Sequence, residues 1–108
     1  SRRLDQLQVV FETINSRLSE PLTIDELAAL VFMTPSYFCT FFKNSTGFTP
    51  TQYIHKIRIA RSIDLLKSTS RSISDIALDC GFNNLANFNR IFKRTTGQTP
   101  IALRAQLG

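Results

Sequence analysis

The decapeptide FFKNSTGFTP at positions 41–50 returns at positions 91–100 as IFKRTTGQTP. Phe42/Phe92, Lys43/Lys93, Thr46/Thr96, Gly47/Gly97, Thr49/Thr99 and Pro50/Pro100 are identical. Each copy holds a glycine followed, two residues on, by a threonine–proline pair. Glycine takes the left-handed conformation that ends a helix at little cost. Threonine caps a helix and proline fits its first position. A chain that writes a helix stop and a helix start twice, fifty residues apart, is built from two similar helical units.

Periodicity around these signals predicts an all-α chain of seven helices with no strand. Residues 4–18 place Leu4, Leu7, Phe11, Ile14 and Leu18 at spacings of three and four, one face of a helix. Thr23, with Glu26 three residues later, forms a capping box for a helix over about 24–31. Thr34 and Pro35 start the next, with Phe38, Phe41 and Phe42 inward and Gly47 as its stop. Thr49 and Pro50 open a longer helix over about 50–67, roughly 25 Å long at about 1.5 Å per residue. Its apolar residues cover more than one side, which suits a connecting strut. Ser72 and Asp75 repeat the capping box. Ile73, Ile76, Ala77 and Cys80 face inward, and Gly81 is the stop. A helix over about 84–95 follows, capped by Asn84, with Phe88, Ile91 and Phe92 inward. Thr99 and Pro100 start a last short helix.

In front of each repeat copy stands a short capped helix and a tight turn. Short helix, turn, second helix is the helix-turn-helix unit, and it occurs twice. Ala28 and Phe38 are ten residues apart and Ala77 and Phe88 eleven. The second unit therefore has one more residue around its turn, where Gly81 sits. The expected organisation is an N-terminal helix-turn-helix subdomain over 1–49, a linker helix over 50–67 and a C-terminal subdomain over 68–108, a homeodomain-like architecture.

Charge is uneven along this frame. Residues 1–42 hold three basic and five acidic side chains, net −2. Residues 43–108 hold ten basic and three acidic side chains, net +7. Clustered positive charge is the footprint of a polyanionic partner. Catalysis has little support. The single histidine, His55, excludes a histidine-based metal cluster or triad, and no nucleophile is paired with a base. No glycine-rich phosphate loop occurs, so neither a catalytic residue, nor a metal, nor a cofactor is expected. His55 is read as structural. Cys39 and Cys80 match no metal spacing; Cys80 is read as a small buried hydrophobe, and a redox role for Cys39 stays open. No apolar run reaches the roughly 20 residues of a membrane span. Ser1 in place of an initiating methionine suggests a piece of a longer chain.

The stretch ISDIALDCGFNNLANFNRIFKRTTGQTP, residues 73–100, resembles the pattern I-x-x-I-A, G-F, F-x-R-x-F-K, G-x-T-P of the AraC/XylS family of bacterial transcription regulators. RIARSIDLLKSTSRSI, residues 58–73, is similar to the segment that precedes that pattern, and the resemblance extends from about residue 8 to residue 104. It implies a double-stranded DNA partner, RNA polymerase as a further one, and a cytoplasmic, nucleoid-associated location. It also implies an effector and dimerisation domain outside these residues, so that this piece is monomeric.

The resemblance further implies that two recognition helices enter successive major grooves, with base edges read near their N-termini. Matched residue by residue, the first unit offers Ser36, Cys39 and Thr40 to the bases. The second offers Leu85, Ala86, Asn87, Asn89 and Arg90. Arginine bonds guanine O6 and N7 with two donors, and asparagine pairs with adenine N6 and N7. The short side chains of the first unit offer single hydrogen bonds or contact a thymine methyl, so the second unit is expected to carry more specificity. Tyr37, Lys43, Lys56, Arg58, Arg61, Arg71, Lys93 and Arg94 are the phosphate-contact candidates, with some of these cations instead pairing with Asp64 or Asp75. A rival reading is a helical protein-interaction module whose basic half binds an acidic partner. An enzyme is a third, poorly supported by any catalytic constellation.

Overall fold

The computed structural model describes residues 1–107 and is helical throughout, with no strand among the described residues. Seven helices follow in order: α1 (Arg2–Ser16), α2 (Ile24–Leu30), α3 (Pro35–Thr46), α4 (Pro50–Ser68), α5 (Ile73–Asp79), α6 (Leu85–Thr96) and α7 (Pro100–Leu107). The chain divides into two units, the first ending at Ile54 and the second beginning at His55, so the boundary falls inside α4.

Six caps expected from the sequence form, four of them at α2, α3, α5 and α6. The Thr23 hydroxyl accepts the Glu26 N–H, Thr34 that of Tyr37, Ser72 that of Asp75, and the Asn84 side chain that of Asn87 at 2.7 Å. Each satisfies one of the unpaired donors of a helix start. Thr49 and Gln52 add a reciprocal box at the start of α4. The Thr49 N–H donates to Gln52 Oε1 at 3.0 Å, and the Gln52 N–H to Thr49 Oγ1 at 3.1 Å.

The core of the first unit is aromatic. Phe42, fully buried, has Phe11 at 6.0 Å, Phe38 at 5.7 Å and Tyr53 at 5.4 Å between ring centroids. The buried line of α1 runs through Val10 and Ile14, with Leu18 buried beyond the helix end. Leu4, expected on that face, is 65% exposed. Phe11 of the expected row meets Phe42 and Tyr53, while Val10, outside that row, is fully buried. In the second unit Ile59, Leu66, Ile76, Ala77, Cys80, Phe82, Phe88, Ile91 and Phe92 form one buried cluster, with Leu103 of α7 packed against it.

The repeated decapeptide acquires a structural account. Phe42 and Phe92 are fully buried, as are Pro50 and Pro100. Gly47 and Gly97 sit at φ 85° and 84°. Thr46 Oγ1 donates to the Phe42 carbonyl at 2.8 Å and accepts the Phe48 N–H at 3.1 Å. Thr96 does the same to Phe92 at 2.9 Å and Gln98 at 3.2 Å. Thr49 and Thr99 cap α4 and α7 through Gln52 and Ala102. Five of the six identical pairs thus build the helix stop and restart. Lys43 and Lys93 supply only backbone carbonyls, each accepting the glycine N–H at 2.8 Å, a role that any residue fills.

The turns show where the extra residue of the second unit lies. The Phe82 N–H bonds the Ala77 carbonyl and the Gly81 N–H that of Leu78; the Met33 N–H bonds Ala28 and the Phe32 N–H bonds Ala29. Both are the paired 6→1 and 5→2 bonds of a helix stop that needs a left-handed residue. Gly81 takes that place at φ 92°, and in the first unit it is Phe32 at φ 59°. Gly81 and Phe32 are therefore equivalent. The extra residue of the second turn lies after Gly81, in the stretch Phe82–Asn84 that matches Met33–Thr34.

Candidate nucleic-acid interface

In both units the second helix of the pair is set by its buried apolar residues: Phe38, Phe41 and Phe42 in α3, and Phe88, Ile91 and Phe92 in α6. Burying that stripe turns the opposite face outward. On α3 this face carries Ser36, Tyr37, Thr40 and Lys43, all exposed, with Cys39 half-buried. On α6 Leu85, Ala86, Arg90, Lys93 and Arg94 are exposed, and Asn87 and Asn89 half-buried. Each unit thus gathers its base-contact candidates onto one helix.

The α6 face is pre-ordered. Arg90 donates from a terminal guanidinium nitrogen to Asn87 Oδ1 at 2.6 Å, and the Asn87 N–H is itself held by Asn84. Cap, asparagine and arginine form one chain of bonds, so the Asn87 and Arg90 side chains are positioned together. The α3 face has no comparable side-chain bond among the described residues.

The phosphate candidates separate into groups. Lys43 and Lys93 lie in the last turns of α3 and α6, where a cation also suits the helix dipole. Arg71 is engaged within its unit, donating to Asp79 Oδ2 at 2.6 Å. Its ion-pair partner is Asp79 and not Asp64 or Asp75: from the loop before α5 the long side chain reaches the carboxylate eight residues on. That bond holds the Asp79 carboxyl below its usual pKa. Arg61 is exposed on α4 and adds to the same lowering. Lys56 is exposed and Arg58 half-buried.

Two groups escape a reading of the sequence. Arg104 donates to the backbone carbonyls of Leu66 at 3.5 Å, Thr69 at 3.1 Å and Arg71. It closes the C-terminus of α4, where carbonyls lack helical partners, so its charge is spent inside the fold. His55 stacks on Phe82, with ring centroids at 6.2 Å and planes at 24°. Burial lowers its pKa from 6.5, helped by the charges of Arg58, Arg94 and Arg90. No sequence signal points to this cluster, because α4 and α6 supply it jointly. Cys80 is buried, and burial pushes its thiol up to about 11, so it stays protonated.

No group of three or more metal-ligating side chains occurs among the described residues, and no helix is long and apolar enough to cross a membrane.

Two helix-turn-helix units, each presenting a polar helix face, define the class of protein. The family model described as "Helix-turn-helix domain" matches residues 27–106. The chain is 34% identical over 94 residues to an uncharacterized HTH-type transcriptional regulator, YobQ, of Bacillus subtilis, covering 87% of the chain and 39% of that protein. It is 33% identical over 98 residues to the bifunctional transcriptional activator/DNA repair enzyme AdaA of the same organism, covering 91% and 46%. An AraC-type transcriptional regulator from Chromobacterium violaceum superposes with a TM-score of 0.87 at 30% identity, over 97% of this chain and 94% of that one. The DNA-binding domain of AdpA, solved with a target DNA, gives 0.88 at 29%, over 93% and 90%. The chain belongs to the AraC-type helix-turn-helix family. It spans less than half the length of the curated relatives it matches.

Proposed function

We propose that this chain binds double-stranded DNA sequence-specifically to regulate transcription, with α3 and α6 each entering a major groove. The observation that carries this reading is the repeated lysine. Of the six identical pairs in the decapeptide, Lys43/Lys93 alone has no side-chain duty inside the fold, yet it recurs at the same place on both exposed faces. A partner that presents the same negatively charged feature to each unit accounts for that recurrence; the phosphate backbone of a duplex does so.

In this reading Arg90, with Asn87, is the principal base reader, and Asn89, Leu85 and Ala86 border it. Ser36, Cys39 and Thr40 make weaker contacts. Lys43, Lys93 and Arg94 hold phosphates, with Tyr37, Lys56, Arg58 and Arg61 as further candidates, and Arg71 contributes only by leaving Asp79. The reading divides the chain into reading subdomains over 1–49 and 68–108 with the linker helix over 50–67. It includes RNA polymerase as a further partner, effector recognition outside these residues, a monomeric piece without enzymatic activity, and a cytoplasmic location.

Selection of binding sites from a random duplex pool at two salt concentrations tests it. Two short enriched blocks are expected, and Arg90→Ala should lose about 1–3 kcal/mol of preference at one block only. Absence of salt-sensitive binding to any duplex would transfer the reading to a module for an acidic protein partner.

A further inference from the structure

His55 is the only histidine in the chain, and its surroundings are unusual. It is half-buried, flat against Phe82, in the first turns of α4 that belong to the second unit. Arg58 lies three residues on along the same helix, on the same face. Arg90 and Arg94, four residues apart on α6, act on its charge from the facing helix. The groups that bear on the imidazole are therefore three guanidinium groups from two elements, with no carboxylate among them. Cys80, which also faces Arg58, is a neutral thiol. Like charges gathered around one ring disfavour a further positive charge there unless an anion joins them. Stacking on Phe82 leaves the ring edge, which carries both nitrogens, as its polar handle.

We propose that His55, Arg58 and Arg94 form a phosphate-binding site for the DNA backbone beside the reading face of α6, and that His55 takes up a proton when the duplex binds. The proposal rests on the DNA-binding reading above. Arg94 and Arg58 supply fixed charge, and the imidazole N–H donates to a phosphate oxygen. Without DNA, burial and the arginines disfavour the imidazolium. A phosphate in the site reverses the field, so the His55 pKa in the complex lies above its value in the unbound protein. Affinity then rises as pH falls below the bound pKa, and levels off below the unbound one. Each unit of separation between the two pKa values corresponds to a tenfold gain. Above the bound pKa the site is pH-independent. Arg90 remains available for the bases.

A lone histidine makes the test direct. The imidazole proton resonances of the unmodified chain report its titration by NMR, alone and with a 30-base-pair random duplex at low salt. A control histidine introduced by Asn15→His, exposed on α1, reads the general field of bound DNA. We expect the His55 pKa to rise by about one unit or more above the rise of the control histidine, and to rise less in Arg94→Ala. The same duplex should bind several-fold tighter at pH 5.5 than at pH 7.5, and His55→Gln should abolish most of that difference. A bound duplex that moves the His55 pKa no further than the control histidine overturns the site and spares the DNA-binding reading. A shift produced by inorganic phosphate but not by the duplex overturns it in favour of a small-anion site. No salt-sensitive duplex binding at pH 7.5, where His55 is neutral, overturns the DNA-binding reading and this site with it.

Discussion

The two units share a phrase of sequence and finish it differently. In the first, the helix restarted by Pro50 delivers Tyr53 and Ile54 to an aromatic core: Tyr53 lies 5.2 Å from Phe11 and 5.4 Å from Phe42, and Ile54 is 6% exposed. In the second, the helix restarted by Pro100 delivers Leu103 to the core and Arg104 to three backbone carbonyls. Ile54 and Arg104 occupy the same place after the repeat. Their charges diverge as well. Residues 1–54 carry four basic and five acidic side chains, net −1, and residues 55–108 carry nine and three, net +6. The lesson is that the duplicated phrase fixes where helices stop and start, while the residues outside it decide what each unit is for.

The deepest similarity should give the largest effect. Phe42→Ala and Phe92→Ala each empty a fully buried site and should each destabilise their own unit by about 3–5 kcal/mol, read as lost hydrogen-exchange protection in that unit. Unequal costs would mean that the two cores relax differently around the same deletion. Next comes the divergent position. Arg104→Ala should cost the second unit about 2 kcal/mol by leaving half-buried carbonyls without a donor. Arg104→Ile, which copies the first unit, should not recover it, because no neighbouring carbonyl gains a partner. Recovery would show that packing and not hydrogen bonding holds this corner.

Much of this comparison is legible in the sequence. Seven helices, six caps and the inward apolar stripes of α3 and α6 follow from spacing and cap chemistry, which are local. The repeat itself locates the helix stops. What spacing misses is non-local or ambiguous. On α1 the expected row includes Leu4, which is 65% exposed, and passes over Val10, which is fully buried. Arg104 reads as one more surface cation until the end of α4 is beside it. That Arg90 and Arg94 act on the charge of His55 is hidden until α6 is folded onto α4. Phe32 could have been found: counting four residues on from Ala28 and from Ala77 sets it opposite Gly81. Its aromatic character conceals a position that normally asks for glycine.

That pair sharpens the comparison further. Gly81→Ala places a Cβ at φ 92° and should destabilise the second unit by about 1–2 kcal/mol. Phe32→Gly goes the other way. Phe32 is 97% exposed, so its removal surrenders almost no burial, and the left-handed strain disappears. Part of that gain is offset by the extra freedom of glycine in the unfolded chain. A net stabilisation of about 0.5–1 kcal/mol is expected, read from urea midpoints at constant slope. A loss of stability would show that the Phe32 ring makes a contact worth more than the strain of its backbone.

The smallest effect falls on the side chains that the two units share without structural need. Lys43→Ala and Lys93→Ala should leave stability within about 0.5 kcal/mol, since each lysine contributes only its carbonyl to the fold. Both should weaken duplex binding alike for every sequence and flatten the salt dependence by about one unit of slope each. Over a fourfold change in salt that is about a fourfold difference in affinity, small beside the upper range of the loss of preference from Arg90→Ala. Equality is the informative outcome. If Lys93→Ala acted and Lys43→Ala did not, only the basic second unit would engage phosphate there, and the repeated lysine would reflect the helix dipole it caps in both units rather than a partner met twice.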